Sequence, residues 1–129
     1  MKNIKDNTRV IGLIQMNCCN DSDQNLQVAI DSIREATAKG AQIICLPELF
    51  LSNYFCQTEN LKNFSLAEPI PGPTSMVMAQ LAKELEVVLI VPLFEKRTEG
   101  IYHNSAVIID ADGSIVGTYR KMHIPDDPC

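Results

Sequence analysis

Three short apolar runs, separated by two amphipathic segments, constrain this chain more than any other feature. Residues 10–16 (VIGLIQM), 43–46 (IICL) and 87–94 (VVLIVPLF) each have the length of a buried strand. Between the first two, residues 21–39 place Leu26, Ala29, Ile30, Ile33 and Ala36 at helical spacing, with Gln27, Asp31, Arg34 and Glu35 on the opposite face. Asp21 stands where an N-cap belongs, Lys39 falls in the last turn, and Gly40 can supply the left-handed residue beyond it. A second helix is predicted from a cap at Thr74 or Ser75 through Leu85, with Val77, Met78, Leu81, Ala82 and Leu85 on its apolar face. Thr98-Glu99-Gly100 reads as a turn, and residues 106–109, Asp112-Gly113 and 115–120 read as strand, hairpin turn and strand.

The resulting order, β-α-β-α-β-β-β, predicts an α/β fold whose sheet starts parallel through right-handed crossovers and ends with antiparallel additions. In such sheets ligands collect beyond the carboxyl ends of strands. Glu48 follows the second strand and Lys121 the last, so two opposite charges are placed to meet there. Residues 49–73 form a connection longer than compact domains usually tolerate without a functional reason.

Composition narrows the function classes. A length of 129 residues suits one domain or part of one, and 46% hydrophobic with 21% charged residues is the mix of a chain with a core. Eleven Lys and Arg against 16 Asp and Glu leave a net charge of -5, which argues against nucleic acid as a partner. The apolar runs fall far short of the ~20 residues that span a bilayer, and the N-terminal MKNIKDNTRV has no secretory apolar core. A cytoplasmic protein without a membrane partner is the expectation. The five cysteines (Cys18, Cys19, Cys45, Cys56, Cys129) form no CxxC and have only His103 and His123 for company, so neither a zinc site nor a disulfide framework follows. Cys45 sits in an apolar run, where thiols pack as core. No two glycines form a GxG pair, and GK[ST] and GxSxG are absent, which removes dinucleotide, P-loop and serine-hydrolase readings.

Taken alone, Glu48 reads as a cap or solvated residue, and Lys121 as a lysine snorkelling at a sheet edge. Their context adds a chemical alternative. A carboxylate set in the apolar rim of ICLP and LF is partly desolvated, which predicts a pKa raised toward values useful for proton transfer. A nearby ammonium can hydrogen-bond a developing oxyanion. A base and an oxyanion stabiliser are two parts of an acyl-transfer site, and a nucleophile is the third.

LPELF and YRKMHIP resemble the Glu and Lys motifs of the nitrilase (carbon–nitrogen hydrolase) superfamily. AEPIPGPTS, LAKELEVVLIVPLFE, YHNSAVIIDADG and RKMHIPDDP extend the likeness from about the first strand to Pro128. NYFCQTEN and HIPDDP are similar to a narrower group, the N-carbamoylputrescine amidases of polyamine synthesis. By this resemblance Glu48 corresponds to the general base and Lys121 to the stabiliser of the tetrahedral intermediate. The resemblance implies a nucleophilic Cys on a strand-to-helix elbow further along than residue 129. It also implies an αββα four-layer sandwich, of which residues 1–129 make the N-terminal half, a partial domain with a mixed sheet and helices on one face. Such a half leaves an apolar sheet face and an unpaired edge. A small-molecule amide substrate, no metal or organic cofactor, and a homo-oligomer at full length are further implications.

Cys129 follows Pro128 and has neither elbow nor backbone donors to activate it, so the chain alone is expected to be inactive. The competing readings are hydrolysis of another linear amide or nitrile, or a non-catalytic fragment. Weaker signals stay open between two roles. Tyr54 and Phe55 fit either a substrate pocket or loop anchors, and Cys56 a pocket wall at most. Asp126 and Asp127 fit either an attractor for a cationic amine tail or a solvated turn. His123 reads as a structural hydrogen-bonder, and Asn104 as a partner for the hairpin backbone.

Overall fold

The computed structural model describes residues 8–124. Its elements follow the expected order: β1 (Ile11–Leu13), α1 (Ser22–Ala38), β2 (Ile43–Cys45), α2 (Pro73–Leu85), β3 (Val88–Thr98), β4 (Ile101–Ile109) and β5 (Ile115–Arg120). The five strands form one sheet in the order β1-β2-β3-β4-β5, parallel across the first three and antiparallel beyond.

The Asp21 carboxylate accepts the N–H groups of Asp23 and Gln24 at 3.0 and 3.1 Å, satisfying two donors that the first turn of α1 leaves open. Asn25, fully buried, exchanges two hydrogen bonds with the Cys19 backbone (2.9 and 2.8 Å) and so fixes the entry into the helix. Past the end of α1, Gly40 takes φ +94°, the left-handed conformation foreseen for it. The start of α2 differs from expectation. Gly72, not Thr74 or Ser75, is the N-cap, and Pro73 opens the helix at a position where its missing N–H costs nothing. The Ser75 hydroxyl instead reaches back, accepting the Gly72 N–H at 2.8 Å and donating to the Gly72 carbonyl at 3.0 Å. A side chain at the cap is barred, since a Cβ on Gly72 would lie 2.2 Å from the Pro69 carbonyl oxygen.

Side-chain alternation divides the sheet into two unlike faces. Ile44, Leu89, Val91, Leu93, Val107 and Ile109 point to one side and are buried with Ala29 and Ile33 of α1 and Met78, Leu81 and Ala82 of α2. This is the core. Their register neighbours Ile11, Leu13, Ile43, Cys45, Ile90, Pro92, Ala106 and Tyr119 line the other face, on which neither α1 nor α2 packs. Cys45 therefore lies half-buried on this open face and not in the core.

The run at residues 10–16 departs furthest from its expected burial. Only Ile11–Leu13 is strand, it forms the sheet edge, and Ile11 and Leu13 are 62% and 78% exposed. Composition signals that these side chains favour burial, but what would cover them is a tertiary matter that composition does not carry. Val77 of α2 is likewise exposed, at 40%.

The connection between β2 and α2 has structure of its own: two short 3-10 turns, Phe55–Gln57 and Leu61–Leu66. Glu68 then pairs beside β3 where β2 has ended, donating its N–H to the Phe94 carbonyl (3.0 Å) and accepting the Lys96 N–H (2.8 Å). Rings of Phe55, Phe64, Phe94 and Tyr102 stack with centroids 4.5 to 6.2 Å apart, pinning the loop to one end of the sheet. The cap of α1 is the feature most cheaply tested: Asp21→Ala is expected to lower unfolding free energy by about 1 kcal/mol in chemical denaturation, with Asp21→Asn close to wild type.

Candidate active site

Glu48 stands on a rigid base. Leu46 before it and Leu49 and Phe50 after it are all at most 3% exposed, so the chain is anchored in the core on both sides. Leu49 holds φ +52°, a left-handed conformation uncommon outside glycine, and turns the backbone sharply at this point. The carboxylate is pushed out at the carboxyl end of β2, with 44% of its side chain exposed.

Lys121 arrives from the other edge of the sheet. Its N–H donates to the Asn104 carbonyl at 2.8 Å, continuing the β4–β5 ladder by one step. Its Nζ donates to Glu48 Oε1 at 2.9 Å. Asn104 Nδ2 donates to the same oxygen at 2.6 Å. Two donors thus converge on Oε1. The three side chains border an open depression of about 290 Å³ floored by Pro92 and Ala106 and flanked by Tyr119.

The electrostatics correct one expectation. The carboxyl of Glu48 is held below its ordinary range, not raised: the Lys121 hydrogen bond outweighs partial burial, and Asn104 and the ammonium charge add to it. Partial exposure keeps the desolvation cost small beside two direct donors. Lys121 moves the opposite way, raised first by its hydrogen bond to Glu48. The resting pair is carboxylate and ammonium.

Tyr54 lies within electrostatic reach of both. Burial raises its phenol first, and the neighbouring Cys56 and Glu48 raise it further. Cys56 also acts on Lys121, so both loop residues border the pair. Asn104, read as a partner for the hairpin backbone, instead turns its side chain to Glu48, while its carbonyl takes part in the β4–β5 ladder. The sequence gives no sign of that contact, because residues 48 and 104 meet only through the sheet. His123 is exposed, and Asp126, Asp127 and Cys129 lie outside the described residues. Among the described residues no cluster of three His, Cys, Asp or Glu is placed to hold a metal ion, and no helix is long and apolar enough to cross a membrane. A separate cleft of about 310 Å³ under the long loop, lined by Leu26, Phe55, Glu68 and Thr74 among others, contains neither Glu48 nor Lys121.

The sequence profile described as Carbon-nitrogen hydrolase matches residues 10–128. An N-carbamoylputrescine amidase of Oryza sativa subsp. japonica is 46% identical over 92% of this chain and 39% of its own length. A citrullinase of Francisella tularensis is 39% identical over 98% of this chain and 42% of its own length. The crystal structure of a carbon-nitrogen hydrolase from Helicobacter pylori G27 superposes with a TM-score of 0.86 at 41% identity, covering 92% of this chain and 41% of that one. The chain spans about two fifths of the length of the proteins it matches. A half-open α/β sheet with a carboxylate and an ammonium joined at its rim, in a sequence matched from its first strand onward, belongs to the carbon–nitrogen hydrolase family.

Proposed function

We propose that the protein containing this chain hydrolyses a non-peptide carbon–nitrogen bond, with N-carbamoylputrescine as substrate and putrescine, CO2 and ammonia as products. The observation that carries the reading is the 2.9 Å contact between Lys121 Nζ and Glu48 Oε1 at the sheet rim. Glu48 serves as general base and Lys121 as oxyanion stabiliser, and a cysteine thiol from outside residues 1–129 serves as nucleophile.

In this scheme Glu48 takes the thiol proton and the thiolate attacks the carbamoyl carbon. The carbonyl electron pair moves to oxygen, where Lys121 donates a hydrogen bond to the oxyanion. Collapse of that intermediate expels ammonia, which receives the proton from Glu48. Glu48 then takes a proton from water and hydroxide adds to the acyl-enzyme. Collapse releases the carbamic acid, which loses CO2, and expels the thiolate, which regains its proton from Glu48. The lowered pKa of Glu48 keeps it ionised and ready at neutral pH. Tyr54, at the border of the pair, is the residue assigned to substrate contact.

N-carbamoylputrescine is preferred because four relatives of that name are 44% to 47% identical to this chain. The citrullinase likeness at 39% supports a second reading. Citrulline and N-carbamoylputrescine share a terminal ureido group on an alkyl chain, so the reacting atoms are the same and only the distal head differs. Ammonia release from both, and from simple amides and nitriles, distinguishes these. Faster turnover of N-carbamoylputrescine is expected. Equal rates for simple amides would remove the narrower assignment.

Glu48→Gln is expected to lower kcat/KM by roughly 10²–10⁴-fold, the usual contribution of a positioned base. Lys121→Ala is expected to lower it by about 10²–10³-fold, as for loss of one oxyanion donor. Because Lys121 and Asn104 hold the Glu48 carboxyl low, the acid limb of the pH–rate profile follows a group titrating below an ordinary glutamate. Asn104→Ala therefore shifts that limb to higher pH, and an unmoved limb would show that another group sets it.

A further inference from the structure

A second carboxylate–cation pair lies on the opposite face of the sheet from the first. Glu95, in β3, is 2% exposed yet charged, and Arg120 holds it through two bonds: Nε to Oε2 at 2.7 Å and Nη2 to Oε1 at 2.6 Å. The Ser105 hydroxyl donates to Oε2 at 2.6 Å, and His103 stands opposite Glu95 in the register. The fork joins β5 to β3 by side chains, passing over β4, which separates them in the sheet.

The position of this clamp is what gives it meaning. β5 is an edge strand of six residues, mostly exposed, paired through its backbone with β4 alone and with an irregular register at Ile108/Ile109. Its final residues are held to β4 by the ladder, with Arg120 opposite Ser105 and the Lys121 N–H on the Asn104 carbonyl, and have no strand on their other side. Arg120 is the last residue of β5 and Lys121 is the next one along. Alternation sends Arg120 to the helix-covered face and Lys121 to the open face, where Glu48 lies. A slip of one residue would exchange the two. A planar bidentate fork resists such a slip in a way that a lone point charge does not.

We propose that the Glu95–Arg120–Ser105 clamp is a positioning device that fixes the end of β5 so that Lys121 meets Glu48. It acts through the backbone and touches no reacting atom. The catalytic consequence rests on the function proposed above, whereas the positioning itself does not.

The test separates positioning from mere stabilisation. Breaking one partner leaves a buried charge alone and destabilises the fold, but replacing a buried ion pair by apolar groups of similar volume is often neutral or stabilising. The double variant Glu95→Met/Arg120→Leu therefore removes the clamp while retaining a fold, verified by thermal unfolding, and Arg120→Lys keeps the charge but loses the fork. The reporter is the Glu48 carboxyl, followed by carbon-detected NMR titration in the intact protein. Release of Lys121 is expected to move the Glu48 titration up toward an ordinary glutamate in both variants, more in the double one. A control, Arg34→Met, breaks the exposed Arg34–Glu84 pair and leaves Glu48 unmoved. In the active protein the same variants are expected to lose roughly 10–100-fold in kcat with little change in KM, the effect of a misplaced group. Folded variants whose Glu48 titration matches wild type would overturn the proposal. Absence of any carbon–nitrogen hydrolysis would overturn the function instead, and leave the titration result standing.

Discussion

The period-two alternation of side chains along a strand organises everything else in this molecule. It gives the sheet one face packed against two helices and another face without them, and it assigns neighbouring residues to different environments. Leu93 is in the core while Phe94, its neighbour, meets the aromatic loop. Ser105 reaches the buried Glu95 while Asn104 reaches the exposed Glu48. The central strand β3 carries both systems, because its parallel partner β2 delivers Glu48 and its antiparallel partner β4 delivers Asn104.

The two acid–base pairs show how environment decides what one chemistry does. Glu95 and Glu48 both sit below the ordinary glutamate range, for different balances. For Glu95, burial pushes upward most strongly and is outweighed only by Arg120, Ser105 and His103 together. For Glu48, the Lys121 bond dominates and burial is secondary. Each depressed carboxyl contributes stability that is present above its unfolded pKa and lost as pH falls through the lower folded value. The exposed pair is screened by solvent and contributes little to folding, which leaves it free to exchange protons. Removing Arg120 alone would leave the buried Glu95 carboxylate without its partner, which costs stability.

Much of the architecture was legible in local pattern. Asp21, Gly40 and the helical spacing of Ala29 and Ile33 mark α1 because caps and amphipathic periods are short-range properties. Glu48 and Lys121 stand out because each follows a strand. What escaped were contacts made across the sheet. Asn104 holds Glu48 over a separation of 56 residues, and Arg120 holds Glu95 over 25. The direction of the Glu48 shift was misjudged for the same reason, since the rim residues around it are visible in sequence and its two donors are not. β3 and β4 run on past their apolar cores, to Thr98 and back from Ile101, because hairpin pairing satisfies polar positions that hydrophobicity leaves unmarked.

The open face and the Glu48–Lys121 pair share one surface. Ile11, Leu13 and Tyr119 are 62%, 78% and 59% exposed on the side of the sheet where Glu48 and Lys121 meet. Any layer that covered this face would bury apolar area and, in the same movement, remove water from the pair. Desolvation would raise Glu48 while the lower local dielectric strengthened its bond to Lys121, so the two terms would grow together with opposite sign. A carboxyl balanced in this way responds to small changes in covering, because burial and the Lys121 bond pull its pKa in opposite directions. The Glu95 carboxylate is already buried, with only its Arg120 partner reaching solvent, so the clamp keeps the geometry of β5 constant while the environment of Lys121 changes.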